Sequence, residues 1–280
     1  MNKEEAMSEA HRIERRQVEV NGRPATVYVG GDGPPLLLIH GGWGSAPGHW
    51  SRAWEQLAEH YRVVAPELPG FVEGEALGSY EAYGQWSVAL LDALDIQAAW
   101  CVGNSFGGSV AWVVGSEHPE RCLGVIIVNG LPPPAPPPAW MIRLGRWRPA
   151  RALMLGLYRR VAFTQGMLDR AFVAKGAADV PAFLAPLFRE RMPRPAEIVF
   201  EVMGSSREFA APRGPVLLLW GQQDRGPGSS EASARKFHAR LPGSQLVFVP
   251  RAGHLPQWEN PARFVQELVA FTQAAVPHAA

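Results

Sequence analysis

Residues 99–108, Ala99-Trp100-Cys101-Val102-Gly103-Asn104-Ser105-Phe106-Gly107-Gly108, hold the turn on which the fold can be read. Four apolar residues suited to a strand lead into Gly-x-Ser-x-Gly, and GGSVAWVVGSEHPE then continues with a helical pattern. Strand, tight turn and helix in that order make a sharp elbow, with Ser105 at its tip. Gly103 and Gly107 allow the turn and the close approach of helix to strand. The Ser105 hydroxyl then projects at the C-terminal end of the strand, beside a helix N-terminus that favours developing negative charge. The plainer alternative is a serine that caps a core helix.

On both sides of this turn the chain alternates. RQVEV (16–20) and ATVYVG (25–30) flank Asn21-Gly22, a hairpin signal. LLLIHG (36–41), RVVAPE (62–67), WCVGNS (100–105), GVIIVNG (124–130), VLLLWG (216–221) and QLVFVP (245–250) follow as short apolar runs. Such runs suit strands buried on both faces of a parallel sheet. Helical patterns over 50–60, 80–95, 106–118, 229–241 and 260–274 separate them. The expected fold class is therefore α/β, with an eight-stranded, mostly parallel sheet flanked by helices and opened by an antiparallel hairpin.

One segment breaks the alternation. LPPPAPPPAW begins at Leu131 and has six prolines in seven residues, which neither a helix nor a central strand tolerates. Only helical patterns follow, at about 139–159, 165–175, 180–190 and 196–208. An ordinary connection is far shorter than these 84 residues. The division read from this is a core over 1–130, a helical cap over 131–214 inserted after the sixth strand, and the rest of the core over 215–280. The cap segment has 13 Lys/Arg and 6 Asp/Glu, a net of +7, which leaves −6 for the remainder of a chain of net charge +1. It reads either as a solvated basic face or as a source of arginines that hold an anionic substrate group.

Composition excludes several classes. The 280 residues are 47 % hydrophobic and 19 % charged, enough apolar material for a full core and too much for disorder. Near-neutral charge makes no case for nucleic acid. Two cysteines, Cys101 and Cys122, exclude a disulfide framework and read as buried thiols. No apolar run approaches 18 residues, so membrane insertion is not expected. The charged N-terminus reads as a frayed lead-in and not as a secretory signal, and a cytoplasmic location follows by default. No cluster has metal-ligand spacing, and no metal or cofactor is expected. The expected partner is a small-molecule substrate. A homodimer stays open, because the sequence does not fix the oligomeric state.

A serine nucleophile needs a base and an orienting acid. His254 lies in PRAGHLPQWENP, between the last strand and the last helix. His49, His60, His118 and His238 fall on helical segments or their ends and read as solvated. Asp224 follows VLLLWGQQ and would orient the His254 ring; Glu231, the nearest spare carboxylate, falls inside the next helix. His40-Gly41-Gly42-Trp43-Gly44 ends the third strand. There the N–H of Gly42 or Trp43 would join that of Phe106 in an oxyanion hole, with His40 supporting the loop. Trp43, Trp140, Trp147 and Trp258 are candidate pocket walls, while Trp86, Trp100, Trp112 and Trp220 look like core.

With these residues in order, residues 14–275 resemble a lidded member of the α/β-hydrolase superfamily. The resemblance implies a cofactor-free serine hydrolase with the triad Ser105, Asp224, His254. A serine nucleophile argues against haloalkane dehalogenases and epoxide hydrolases, which use Asp there. Gly103-Asn104-Ser105-Phe106-Gly107-Gly108, Trp220-Gly221…Asp224-Arg225 and Gly253-His254…Gln257-Trp258-Glu259 are also similar to the meta-cleavage product hydrolases, which cleave a carbon–carbon bond in ring-fission dienoates. By that resemblance Asn104 and Trp258 would help hold the dienoate, and a cap arginine its carboxylate. Gly226-Pro227-Gly228 and the loop 40–50 depart from that pattern. Plain esterases of the superfamily share the Asn-Ser elbow. The leading expectation is hydrolysis of a small, largely apolar carboxylic ester or lactone, with carbon–carbon hydrolysis as the alternative. An acyltransferase or synthase, and a ligand receptor on the same fold, are further readings.

Overall fold

A computed structural model of the protein describes residues 12–135, 138–162, 164–172, 193–205, 207–226 and 228–275. Eight strands form one sheet: β1 (Glu14–Val20), β2 (Arg23–Gly30), β3 (Pro35–Ile39), β4 (Arg62–Pro66), β5 (Ala99–Asn104), β6 (Cys122–Val128), β7 (Val216–Gly221) and β8 (Gln245–Val249). Their order is β1-β2-β4-β3-β5-β6-β7-β8. The β1–β2 and β2–β4 pairs are antiparallel, and every later pair is parallel. The Asn21-Gly22 turn lies at positive φ in both residues, the conformation that a two-residue hairpin of this hand needs.

Among the described residues the helices are α1 (Ala46–Trp50), α2 (Trp54–Ala58), α3 (Tyr80–Ala93), α4 (Phe106–Glu117), α5 (Ala139–Arg146), α6 (Arg148–Ala162), α7 (Gln165–Ala171), α8 (Pro193–Gly204), α9 (Glu231–Ala239), α10 (Pro256–Glu259) and α11 (Pro261–Ala275). Two continuous patterns are interrupted. The pattern over 50–60 starts earlier and divides into α1 and α2. That over 139–159 divides at Trp147, whose extended backbone leads into Arg148-Pro149. The expected helix 180–190 lies outside the described residues. Between β6 and β7 the described elements are α5 to α8, helices only.

β5 lies at the centre, and all six of its residues are buried. Alternate side chains enter two apolar layers. One holds Leu37, Ile39 and Cys101 with α3 and α4. The other holds Leu36, Leu38 and Val102 with α1, α2 and α11. Trp86, Trp100, Trp112 and Trp220 are buried as expected. Cys101 is fully buried and Cys122 half-buried, and both are free thiols.

The elbow requires glycine on steric grounds. A Cβ at Gly103 would sit 2.0 Å from the Gly107 carbonyl oxygen, and one at Gly107 would sit 2.2 Å from that of Ile39. Backbone cannot yield there as a flexible side chain can. Gly107→Ala is expected to cost about 3 kcal/mol or more, the upper range for overpacking. A urea midpoint equal to wild type would contradict this close approach.

Candidate active site

The C-terminal ends of β3, β5, β6 and β7 and the loop after β8 converge on one cavity of about 360 Å³. Ser105, between β5 and α4, borders it with φ +52° and ψ −113°. A non-glycine residue rarely adopts such a conformation, and it costs about 1–3 kcal/mol. Its hydroxyl makes no capping bond to α4, which removes the helix-capping alternative. His254, largely buried, borders the same cavity. Its Nδ1 lies 2.7 Å from Oδ2 of Asp224, which is 2 % exposed. The expected nucleophile, base and acid are thus brought together from β5, β7 and the loop after β8. Gly42, Trp43 and Phe106, the expected oxyanion donors, line the cavity beside Ser105. The Trp43 ring also lies 5.1 Å from that of His254.

Asn129 is a site residue missed in the sequence. It directly follows β6, at φ +44°. Its Oδ1 accepts from Gly221 N–H at 2.8 Å, so its Nδ2 points to Asp224 Oδ2, also 2.8 Å away. Gly226 N–H donates to Asp224 Oδ1 at 2.7 Å. The carboxylate therefore has donors on both oxygens, and its plane is fixed toward His254. In the sequence, VNG after a strand looks like any turn. Only the pairing of β6 with β7 brings it beside Asp224.

The helical segment also reaches these loops. The C-terminal carbonyls of α7 have no partner within the helix. Arg170 O accepts from Arg225 N–H at 2.9 Å, and Ala171 O from His254 N–H at 2.5 Å. One short helix end thus anchors the loops of both Asp224 and His254. Tyr158, Met167, Val199 and Met203 line the cavity from this segment, together with Leu131 just after β6, and Tyr80 and Ser109 line it from α3 and α4.

Three expected substrate contacts lie elsewhere. Asn104 is fully buried, and its Nδ2 donates to the carbonyls of Val128 and His254, at 3.0 and 3.1 Å. The strand alternation that turns Ser105 outward turns Asn104 inward. Trp258 lies against Arg52, whose guanidinium is 4.4 Å from the ring centroid. Trp140 is 63 % exposed, on a helix turned to solvent. Trp147, a fourth candidate wall residue, is 64 % exposed. Of the arginines between 131 and 214 that could hold an anionic group, Arg189 and Arg191 lie outside the described residues.

His40 supports its loop as expected. Leu68 N–H donates to its Nε2 at 2.9 Å, so Nδ1 carries the proton and donates to Gly41 O at 2.8 Å. His49 corrects an expectation: it is buried and not solvated. α1 is too short to present a solvent face here, and the His49 Nδ1 donates to Ser45 O at 3.0 Å. Burial lowers the pKa of His40 to about 4 and, with His40 nearby, that of His49 to about 3. Burial raises Glu67, 3.7 Å from His40 Nε2, to about 7. The unfolded chain takes up both histidine protons below about pH 6.5, while the folded chain does not. Stability contributed by the neutral pair is therefore lost as pH falls from about 6.5 toward 4. Glu67 opposes this, because between about 4.5 and 7 the folded state keeps a proton that the unfolded chain sheds. Two protons outweigh one, so stability should fall by about 1.4 kcal/mol per pH unit between roughly pH 6 and 5. Urea midpoints across that range test this, and His49→Asn should flatten the slope. A midpoint that rises on acidification contradicts it.

Among the described residues no group of three or more His, Cys, Asp or Glu side chains could hold a metal ion. Nor is any helix there long and apolar enough to cross a membrane.

Several known proteins are similar to the chain. The 2-hydroxymuconate semialdehyde hydrolase of Pseudomonas sp. (strain CF600) is 28 % identical over 262 residues, 89 % of this chain and 90 % of that protein. The 2-hydroxy-6-oxo-6-phenylhexa-2,4-dienoate hydrolase of Burkholderia cepacia is 28 % identical over 84 % of this chain and 86 % of its own. A thermophilic esterase from Thermogutta terrifontis shares the fold, with TM-score 0.67, 24 % identity and coverage of 94 % and 99 %. The profile described as "Alpha/beta hydrolase family" matches residues 36–267, from β3 into α11, and so takes in the elbow, the Asp224 turn and the His254 loop. The chain belongs to the alpha/beta hydrolase family, a family of enzymes.

Proposed function

We propose that the protein hydrolyses a small, largely apolar carboxylic ester or lactone through a Ser105–His254–Asp224 triad, without a cofactor. The observation that carries this is the strained Ser105 facing a cavity shared with His254, itself bonded to a buried carboxylate. His254 Nε2 takes the Ser105 proton while Oγ attacks the carbonyl carbon. The N–H of Phe106 and of Gly42 or Trp43 receive the oxyanion. His254 then returns the proton to the leaving alkoxide, which departs as alcohol and leaves an acyl-serine. Water, deprotonated by His254, displaces the acyl group as the acid. Leu131, Met167, Val199 and Met203 suit an apolar acyl chain, and the hydroxyls of Tyr80, Ser109 and Ser229 suit an uncharged polar end.

The second reading, carbon–carbon hydrolysis of a ring-fission dienoate, is favoured by the names of the two relatives above. In that reaction the leaving group is a carbon, which must be protonated, and an arginine would hold the carboxylate. The test is the ratio of kcat/KM on a ring-fission dienoate to that on a short p-nitrophenyl ester, with Ser105→Ala as blank. A ratio well below one supports the ester reading, and a ratio well above one the dienoate reading. No turnover of either substrate would leave the hydrolase proposal without support.

A further inference from the structure

Helices α5 and α6 have an unusual surface. Residues 139–162 carry six arginines, Arg143, Arg146, Arg148, Arg151, Arg159 and Arg160, and no acidic residue. On α6, Ala150 is buried and Met154 and Tyr158 are half-buried, so this face turns inward. The opposite face presents Pro149, Ala152, Leu153, Gly156 and Leu157, all exposed. An ordinary surface helix places charged residues there. Leu153 is 65 % exposed and Leu157 52 %. Trp140, Leu144 and Trp147 follow at i, i+4 and i+7, also exposed. Five of the nine large exposed hydrophobic residues in the described structure thus fall within 140–157.

The charges around this patch are arranged to match. Arg143, Arg148 and Arg160 are exposed. Arg151 and Arg159 face Glu201 and Glu197 on α8. With +7 on residues 131–214 and −6 on the rest, the chain is strongly polar in charge although its net is +1. A negative surface would attract the cap and repel the core, which orients the molecule with this face inward. Exposed indoles and leucines between arginines form the amphipathic pattern of a helix lying in a lipid interface.

We propose that the outer face of α5 and α6 seats on an anionic phospholipid bilayer. The leucines enter the headgroup–acyl boundary, the indoles sit among the headgroups, and the arginines meet lipid phosphates. Docking is peripheral, since no described helix is long and apolar enough to span. It brings the cap, whose inner face lines the cavity, against the membrane.

The test is co-sedimentation of the full chain with vesicles of phosphatidylglycerol and phosphatidylcholine, or of phosphatidylcholine alone. Binding to the anionic vesicles is expected to be at least about tenfold tighter and to weaken when salt rises to about 0.5 M. The Leu153→Ser/Leu157→Ser and Arg148→Glu/Arg160→Glu variants should each lose about tenfold or more in affinity. Their melting temperatures should stay at the wild-type value. All four side chains lie outside the cavity. No binding to the anionic vesicles, equal binding to both vesicle types, or binding unaffected by the variants would overturn the proposal. So would sedimentation equilibrium showing a dimer that the leucine variant dissociates, because a second copy would then occupy the face. None of these readouts uses turnover, so failure here and failure of the esterase reading are separable.

Discussion

Replacing Ser105 with alanine is expected to lower kcat on any hydrolysed ester by about 10⁵–10⁶-fold, the scale seen when a serine nucleophile is lost. The reason lies in how the side chain is held. Ser105 sits at φ +52° at the head of α4, and its hydroxyl does not cap that helix. The backbone strain of the elbow is thus independent of that oxygen. Alanine carries the same Cβ, so the same strain remains, and the melting temperature should change little. KM should also change little, because the cavity keeps its walls. The measurement is single-turnover and steady-state kinetics together with a melting curve. A folded variant with near wild-type turnover would mean that water is activated directly and that no acyl-serine forms.

Asp224→Asn should cost about 10⁴-fold in kcat, with stability less affected. The shape is conserved, but the donor pattern is not. Asp224 Oδ2 accepts from both His254 Nδ1 and Asn129 Nδ2, at 2.7 and 2.8 Å. Both contacts require an acceptor at that atom. An amide oxygen there could still receive both, but its NH₂ would then meet Gly226 N–H, where Oδ1 is an acceptor at 2.7 Å. The reversed amide would present NH₂ to Asn129 and demand the His254 tautomer that cannot take the Ser105 proton. Either orientation leaves an unfavourable donor–donor contact in a buried site. Glu231, the nearest spare carboxylate in the sequence, is bonded to Arg235 at 2.6 Å and is not aimed at His254. Activity above one-tenth of wild type would show that another group orients the base.

Much of the fold was legible because short apolar runs mark buried parallel strands, and all six became strands, while the two segments around Asn21-Gly22 became the hairpin. Helix ends were less legible. Pro149 interrupts a pattern whose apolar spacing continues across it, and the loop after His40 forms α1 as a helix of only five residues. The site was legible to the extent that its chemistry lies at strand ends, as with Ser105, Asp224 and His254. Contacts across the sheet were not. Asn129 acts on Asp224 from 95 positions away. Asn104, read as a substrate ligand, spends its amide on the carbonyls of Val128 and His254. Residue type shows that a side chain can donate hydrogen bonds; only the direction of its Cβ decides to whom.

The pairing of β6 with β7 bears on how such a protein could diversify. The two strands are parallel neighbours, so the long excursion between them leaves the sheet at one strand and rejoins it at the adjacent one. β6 ends at Val128, whereas β7 begins at Val216, the register partner of Val125, so the two ends are offset by one strand spacing, about 5 Å, and by three residues along the ladder, about 10 Å. A foreign segment of different length could be grafted between them without altering the register of either strand or the positions of Ser105 and His254. The two carbonyl anchors at the end of α7, and side-chain contacts such as those of Ser205 with Gly78 O and Arg207 with Glu81 and Glu117, would have to be rebuilt. The cavity wall is in that sense an exchangeable cassette, and selection could alter it while the strand ends beneath stayed fixed.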